Sequence, residues 1–218
     1  MIKAIIYDMD DLIVNSDPLH SIAWERVLSD FGKSFDDITS NKKSKFIGMR
    51  VIDICKEIIN ILELDIDLNT FYEKRTKVFL EIVKSELELM PGLLESLELF
   101  SSNDYKIALA SSGAKKYIDL VLDKFNIRKY FDIIVSGDNV SIGKPHPETY
   151  IVASKMLNLK AEECVVLEDA ENGIISAIQA GCKCIAVHNP HTPYQNLSEA
   201  TLIINSLQDI NLDIINKI

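Results

Sequence analysis

The chain has 218 residues, 47% of them hydrophobic and 26% charged, a balance that excludes intrinsic disorder, collagen-like repeats and disulfide scaffolds. Asp and Glu number 33 against 23 Lys and Arg, a formal charge of −10, and such a surface repels phosphate backbones and anionic lipid, so neither nucleic acid nor membrane is an expected partner. The lack of a bilayer-length apolar stretch, of a basic secretory start and of CxxC spacing among Cys55, Cys164, Cys182 and Cys184 points to a cytoplasmic protein with reduced thiols.

Residues 3–8, Lys-Ala-Ile-Ile-Tyr-Asp, form an apolar run closed by charge, the pattern of a strand buried on both faces of a parallel sheet. From 17 to 90 the pattern changes to amphipathic helices at 19–31, 51–62 and 68–87, and Pro91-Gly92 marks a turn out of that segment. Strand-like runs then recur at 106–111, 131–136, 164–168 and 182–187, with 201–205 as an edge member. Between them lie helices at 114–125, 147–157 and 170–180, the last closed by Gly181. Alternating strands and helices require parallel pairing with right-handed crossovers. The expected fold is therefore α/β, a Rossmann-like doubly wound parallel sheet built from 1–16 and 89–218, with 17–88 inserted as an α-helical cap.

In an open α/β sheet the ligand site lies beyond the carboxyl ends of the strands, so the polar residues there carry the functional signal. The first strand runs into Asp8-Met9-Asp10-Asp11, where alternation points Asp8 and Asp10 the same way. Two carboxylates so close call for a cation between them, and hard oxygen ligands suit Mg²⁺. The second strand runs into Ser111-Ser112-Gly113, hydroxyls and N–H groups at a helix start that suit an anion. Lys144 is held between Gly143 and Pro145, and Glu168-Asp169 puts another acidic pair at a buried strand's end. Singly, the first two motifs also fit ordinary turn chemistry. Jointly the four offer a nucleophile, a metal site and donors for phosphate oxygens, the parts of a phosphoryl-transfer site.

These four motifs, in this order and spread over essentially the whole chain, resemble the haloacid dehalogenase superfamily, in the helical-cap subgroup that contains β-phosphoglucomutases and sugar-phosphate phosphatases. The resemblance implies that Asp8 is the nucleophile forming an aspartyl-phosphate and Asp10 the general acid and base. It implies that Ser111, with the neighbouring Ser112, and Lys144 bind the phosphoryl group. It further implies a Mg²⁺ cofactor held by Asp8, Asp169 and the main-chain carbonyl of Asp10, with Glu168 a direct or water-mediated ligand. In the cap it places substrate contacts at His20 and Arg50, and it makes a monomer the default. Trp24, one turn from His20, reads as core. Cys184, His188 and His191 loosely mimic zinc spacing but lack a fourth partner.

Two positions depart from the family pattern, Asp11 where it has glycine and Asn15 where it has aspartate. Aspartate tolerates glycine-like backbone angles, and one charge gained beside one lost leaves the local total unchanged. The mutases carry a cap lysine near Lys74-Arg75-Thr76-Lys77, and Thr76 falls nearest that position. The expected activity is a Mg²⁺-dependent phosphomonoesterase acting on a small phosphate ester such as a sugar phosphate. A β-phosphoglucomutase is the enzymatic alternative, and a non-catalytic phosphometabolite binder the alternative of another class.

Overall fold

The computed structural model describes residues 1–192 and 195–218. Six parallel strands, β1 (Ala4–Tyr7), β2 (Lys106–Ala110), β3 (Ile133–Val135), β4 (Cys164–Glu168), β5 (Lys183–Val187) and β6 (Leu202–Ile204), form one sheet in the order β3-β2-β1-β4-β5-β6. The strand interiors are apolar because both faces of the sheet are covered, with Lys106, Lys183 and Glu168 at strand ends, and the two-residue period divides the side chains between two cores. Ile5, Tyr7, Ile107, Leu109, Val165, Leu167 and Ile185 enter one core, against Leu97 and Phe100 of α5 (Leu93–Ser101) and Ile118 and Val121 of α6 (Lys115–Lys124). Ala4, Ile6, Ala108, Ala110, Val166 and Cys184 enter the other, against Tyr150 and Ala153 of α7 (Glu148–Met156) and Ile174 and Ala177 of α8 (Glu171–Gln179). The short α9 (Leu212–Lys217) joins the first core through Ile215. This is the expected doubly wound arrangement, with 201–205 supplying the edge strand β6.

Between β1 and α5 run four helices, α1 (Asp17–Ser29), α2 (Ser40–Phe46), α3 (Val51–Leu62) and α4 (Leu68–Glu86). They enclose a third core of Trp24, Val27, Leu28, Ile54, Cys55, Ile58 and Phe71. Helix α2 lies outside the predicted elements because its sequence, Ser-Asn-Lys-Lys-Ser-Lys-Phe, buries only Phe46 and has no apolar period. The two chain crossings into and out of this insert lie side by side: Val14 bridges Leu89, Asn15 N–H donates to Glu88 O at 3.0 Å and Met90 N–H to Ile13 O at 2.9 Å. Leu19 and Ala23 of α1 and Phe79, Ile82 and Val83 of α4 pack into the sheet core, so the insert is rooted by apolar contact and not by the linkers alone.

The strand order reverses direction at β1, whose neighbours are β2 and β4. Chain leaving β1 toward one side and β4 toward the other opens a crevice at their carboxyl ends, the place where such sheets bind ligands.

Candidate active site

Asp8 leaves β1 and Glu168 ends β4, strands in direct register with Tyr7 opposite Leu167. Asp8, Glu168 and Asp169 each present a carboxylate oxygen within 4.8 Å of the others, all three buried. The Lys144 ammonium, 3% exposed, sits between them at 2.5 Å from Asp8 Oδ1 and 2.7 Å from Glu168 Oε1. Burial alone lowers the lysine, but the two carboxylates outweigh it and hold the ammonium firmly protonated. One cation does not neutralise three buried acids. Burial pushes Asp8 up to about 7 despite Lys144, and burial with Asp11, Glu168 and Asp8 nearby raises Asp169 well above the carboxylate range. A buried, hard-oxygen donor set short of positive charge fits a divalent cation such as Mg²⁺.

Glu168 is the most committed of the three. Its Oε1 accepts from Lys144 and from Tyr150 Oη at 2.7 Å, and its Oε2 accepts from the N–H groups of Asp169 and Ala170. Asp169 is steadied by Asn189 Nδ2 at 3.4 Å. The free coordination capacity therefore lies with Asp8 and Asp169.

Asp10 faces a different set of groups. Ser16 Oγ donates to its Oδ1 at 2.8 Å, Tyr117 Oη donates to the same oxygen at 2.7 Å, and His20 Nε2 stands 3.5 Å away. Burial raises this carboxyl, but the contacts from His20, Tyr117 and Ser16 outweigh it and hold Asp10 below its ordinary range. Three donors on one oxygen fix the carboxylate and leave Oδ2 for a reacting group. His20 Nδ1 meets the Arg75 guanidinium, which has donors only, so Nδ1 accepts and the ring proton sits on Nε2, facing Asp10. Burial and Arg75 both lower the His20 pKa and keep the ring neutral.

Asp11 adopts the left-handed conformation, φ +61°, as the substitution for glycine requires. Its Oδ1 accepts from Ser16 N–H and Asp17 N–H, each at 2.9 Å, so the side chain ties the loop after β1 to the start of α1. Burial pushes its carboxyl up to about 8, which removes much of the added charge at neutral pH. Asp11 lines the active-site cavity and Asn15 does not.

The cavity, about 850 Å³, runs from Asp8, Asp10 and Asp169 on the sheet to His20, Arg50, Arg75 and Phe79 on the insert. Ser112 lines it and donates its hydroxyl to Gly48 O at 2.8 Å. Ser111 stands behind, 1% exposed, its Oγ accepting from Gly113 N–H while the hydroxyl proton stays available. Arg50, expected as a substrate contact, lines the cavity and is bound to Asp53 through Nε and Nη2 at 2.7 and 3.2 Å and to Val140 O through Nη1 at 3.0 Å. It serves as a latch between insert and sheet domain, as do Asn172 Nδ2 to Ile47 O at 2.7 Å and Ser112 to Gly48. Trp24 is core, as read, though one face meets Arg75. Cys184 is buried while His188 and His191 are exposed, and no zinc cluster forms among the described residues.

Tyr117, Arg75, Tyr150 and Asn189 were not found by sequence reasoning. Each sits in an ordinary helix or loop pattern, and only the folded geometry brings it to the site.

The chain matches the family model described as haloacid dehalogenase-like hydrolase over residues 5–187. It belongs to that family, in the branch that carries a cap. Among similar proteins, a phosphorylated carbohydrates phosphatase of Thermotoga maritima is 33% identical over 187 residues, covering 84% of this chain and 83% of that one. A fructose-1-phosphate phosphatase of Escherichia coli is 26% identical, covering 84% and 95%. In fold, a β-phosphoglucomutase of Clostridium difficile superposes with a TM-score of 0.86 at 24% identity, covering 100% of this chain and 96% of that one.

Gly173 tests the pinned state of Glu168. A Cβ there would lie 1.7 Å from Glu168 Oε1, and four hydrogen bonds keep that carboxylate from yielding. Helix propensity alone makes Gly173→Ala stabilising by about 1 kcal/mol, whereas expelling Glu168 from a buried charge network costs about 3 kcal/mol or more. Urea unfolding is expected to give net destabilisation, and a gain in stability would mean that Glu168 is free to move.

Proposed function

We propose that this hydrolase is a Mg²⁺-dependent phosphomonoesterase acting on a small phosphorylated carbohydrate through an aspartyl-phosphate on Asp8. The observation that carries the reading is the division of labour between two neighbouring carboxylates: Asp8 held against Lys144 among the buried acids, Asp10 held by Ser16 of the loop, Tyr117 of α6 and His20 of the insert. Separated environments of this kind assign separate roles.

An Asp8 oxygen attacks phosphorus and the bond to the leaving oxygen breaks; Asp10, ionised in the substrate-free site, takes up a proton from solvent as the phosphate dianion binds beside it and delivers that proton to the leaving oxygen. Asp10, now a carboxylate, takes a proton from water as that water attacks the aspartyl-phosphate, freeing inorganic phosphate and restoring Asp8. Lys144 and Ser111 provide donors for the phosphoryl oxygens. Asp8 and Asp169 directly, the Asp10 carbonyl, and Glu168 through water would hold Mg²⁺, which supplies charge neutralisation between nucleophile and dianion. The latches from Arg50, Asn172 and Ser112 keep the insert over the site and limit its access to bulk water. Relatives that are phosphatases of phosphorylated carbohydrates support the substrate class, as does the fit of the cavity to a molecule of that size.

Phosphorus NMR with Mg²⁺ and a panel of sugar phosphates, including β-glucose 1-phosphate with a trace of its bisphosphate, is expected to show growth of inorganic phosphate that EDTA and Asp8→Asn both abolish. Conversion to glucose 6-phosphate with no free phosphate would identify a mutase, and no turnover with retained ligand binding would identify a sensor.

The buried acids also set a pH dependence. Asp8 and Asp11 bind protons more tightly folded, at about 7 and about 8, than unfolded, at about 4. Between those limits the folded state holds more protons, so without divalent cation the stability falls as pH rises. Thermal unfolding in EDTA should therefore give a lower Tm near pH 8 than near pH 5, with Mg²⁺ raising Tm more at the higher pH. A Tm that climbs across this window in EDTA would contradict the raised carboxylates.

A further inference from the structure

Arg75 is 1% exposed, on α4 inside the insert, and lines the same cavity as Asp8 and Asp169. Its guanidinium is packed between two aromatic faces, with Cζ 4.4 Å from the Trp24 ring centre and 4.5 Å from that of Phe79. Burial draws its pKa down to about 10, so the group remains cationic at neutral pH. A buried cation is normally matched by a carboxylate. Arg50 and Arg128 each have one, but Arg75 pairs with no carboxylate among the described residues. Its hydrogen-bond partner is the neutral His20, and its buried Nε–H has no partner at all. Stacking satisfies the two faces of the guanidinium plane and leaves the edge, where the N–H groups lie, for something else.

The place of the guanidinium is defined. One imidazole ring, His20, separates Arg75 from Asp10. On the phosphatase reading Asp10 serves the leaving oxygen, so Arg75 borders the leaving group and not the transferred phosphoryl. Arg50, the other cavity-lining arginine, is already bound to Asp53 and Val140. An apolar residue at 75 would fill the aromatic slot at no electrostatic cost, so a lone buried guanidinium is explained when an anion from outside the chain completes it.

The geometry points to Arg75 as the specificity residue for a second oxyanion, a carboxylate or a second phosphate carried on the leaving group, and so to a substrate class bearing two anionic groups. The inference uses the phosphatase reading only to say which end of the substrate meets Arg75. The site itself rests on the unpaired guanidinium.

Binding calorimetry on the Asp8→Asn protein, where turnover is blocked, tests this with two matched pairs: fructose 6-phosphate against fructose 1,6-bisphosphate, and glycerol 3-phosphate against 3-phosphoglycerate. In at least one pair the second anion is expected to tighten binding by about tenfold or more, and the pair that responds separates phosphate from carboxylate. Adding Arg75→Gln should reduce that advantage to about twofold or less, and Arg75→Lys should keep part of it. Because the readout is a ratio within each protein, disturbance of His20 and Asp10 common to both ligands cancels. No advantage in either pair with Arg75 intact overturns the inference, as does an advantage undiminished in Arg75→Gln. An Arg75-dependent advantage in a protein whose unsubstituted form releases no phosphate from any pair member would retain the anion site and reject the phosphatase reading.

Discussion

The structure depends on one electrostatic constraint: several carboxylates are buried together at the ends of β1 and β4, with Lys144 as their one close cation among the described residues. Such a cluster is expensive in a folded protein unless a further cation completes it. The surroundings spend hydrogen bonds to keep it in place. Tyr150 and two backbone N–H groups hold Glu168, and Asn189 holds Asp169. The absence of a side chain at Gly173 leaves room for Glu168. The sheet topology supplies the location, since the chain diverges on either side of β1 and leaves the strand ends accessible from above.

The insert answers this acidic floor with a different chemistry. His20, Arg75, Trp24 and Phe79 form a stacked wall of ring faces and one guanidinium, and Asp10 lies where wall and floor meet. Asp11 connects the two halves mechanically. Its left-handed backbone turns the loop, and its carboxyl accepts from the N–H groups of Ser16 and Asp17 at the start of α1, so a position that resembles a fault in the family pattern becomes a joint between the loop after β1 and the cap. Latches from Arg50, Ser112 and Asn172 close the far side. A substrate must therefore satisfy both surfaces at once.

The parallel sheet was legible because buried strands of this kind read as unbroken apolar runs, as 164–168 does, and because the charged residues that end them mark the crevice. Asp8, Asp10, Glu168 and Asp169 follow from that logic, and Lys144 from its place between Gly143 and Pro145. Helix α2 was hidden, since a mostly solvated helix has no apolar period, and Tyr117 looked like one more buried aromatic on α6, which by packing it is. Arg50 lines the cavity, as expected of a substrate contact, but its pairing with Asp53, three residues on at the start of α3, was not read from the sequence. Arg75 lay in a cluster of cations, Lys74-Arg75-Thr76-Lys77, where only the fold distinguishes a solvated charge from a buried one. Sequence thus reports groups that a strand end presents, and misses those whose role depends on which partner is absent.

A crystal structure grown with Mg²⁺ and beryllium fluoride tests the central claim, that the buried acids exist to hold a cation beside a nucleophilic Asp8. The account predicts a fluoroberyllate bonded to Asp8, its fluorines met by Lys144, and Mg²⁺ between Asp8 and Asp169. An adduct on another residue, or one on Asp8 that forms equally well with EDTA in place of Mg²⁺, would contradict it.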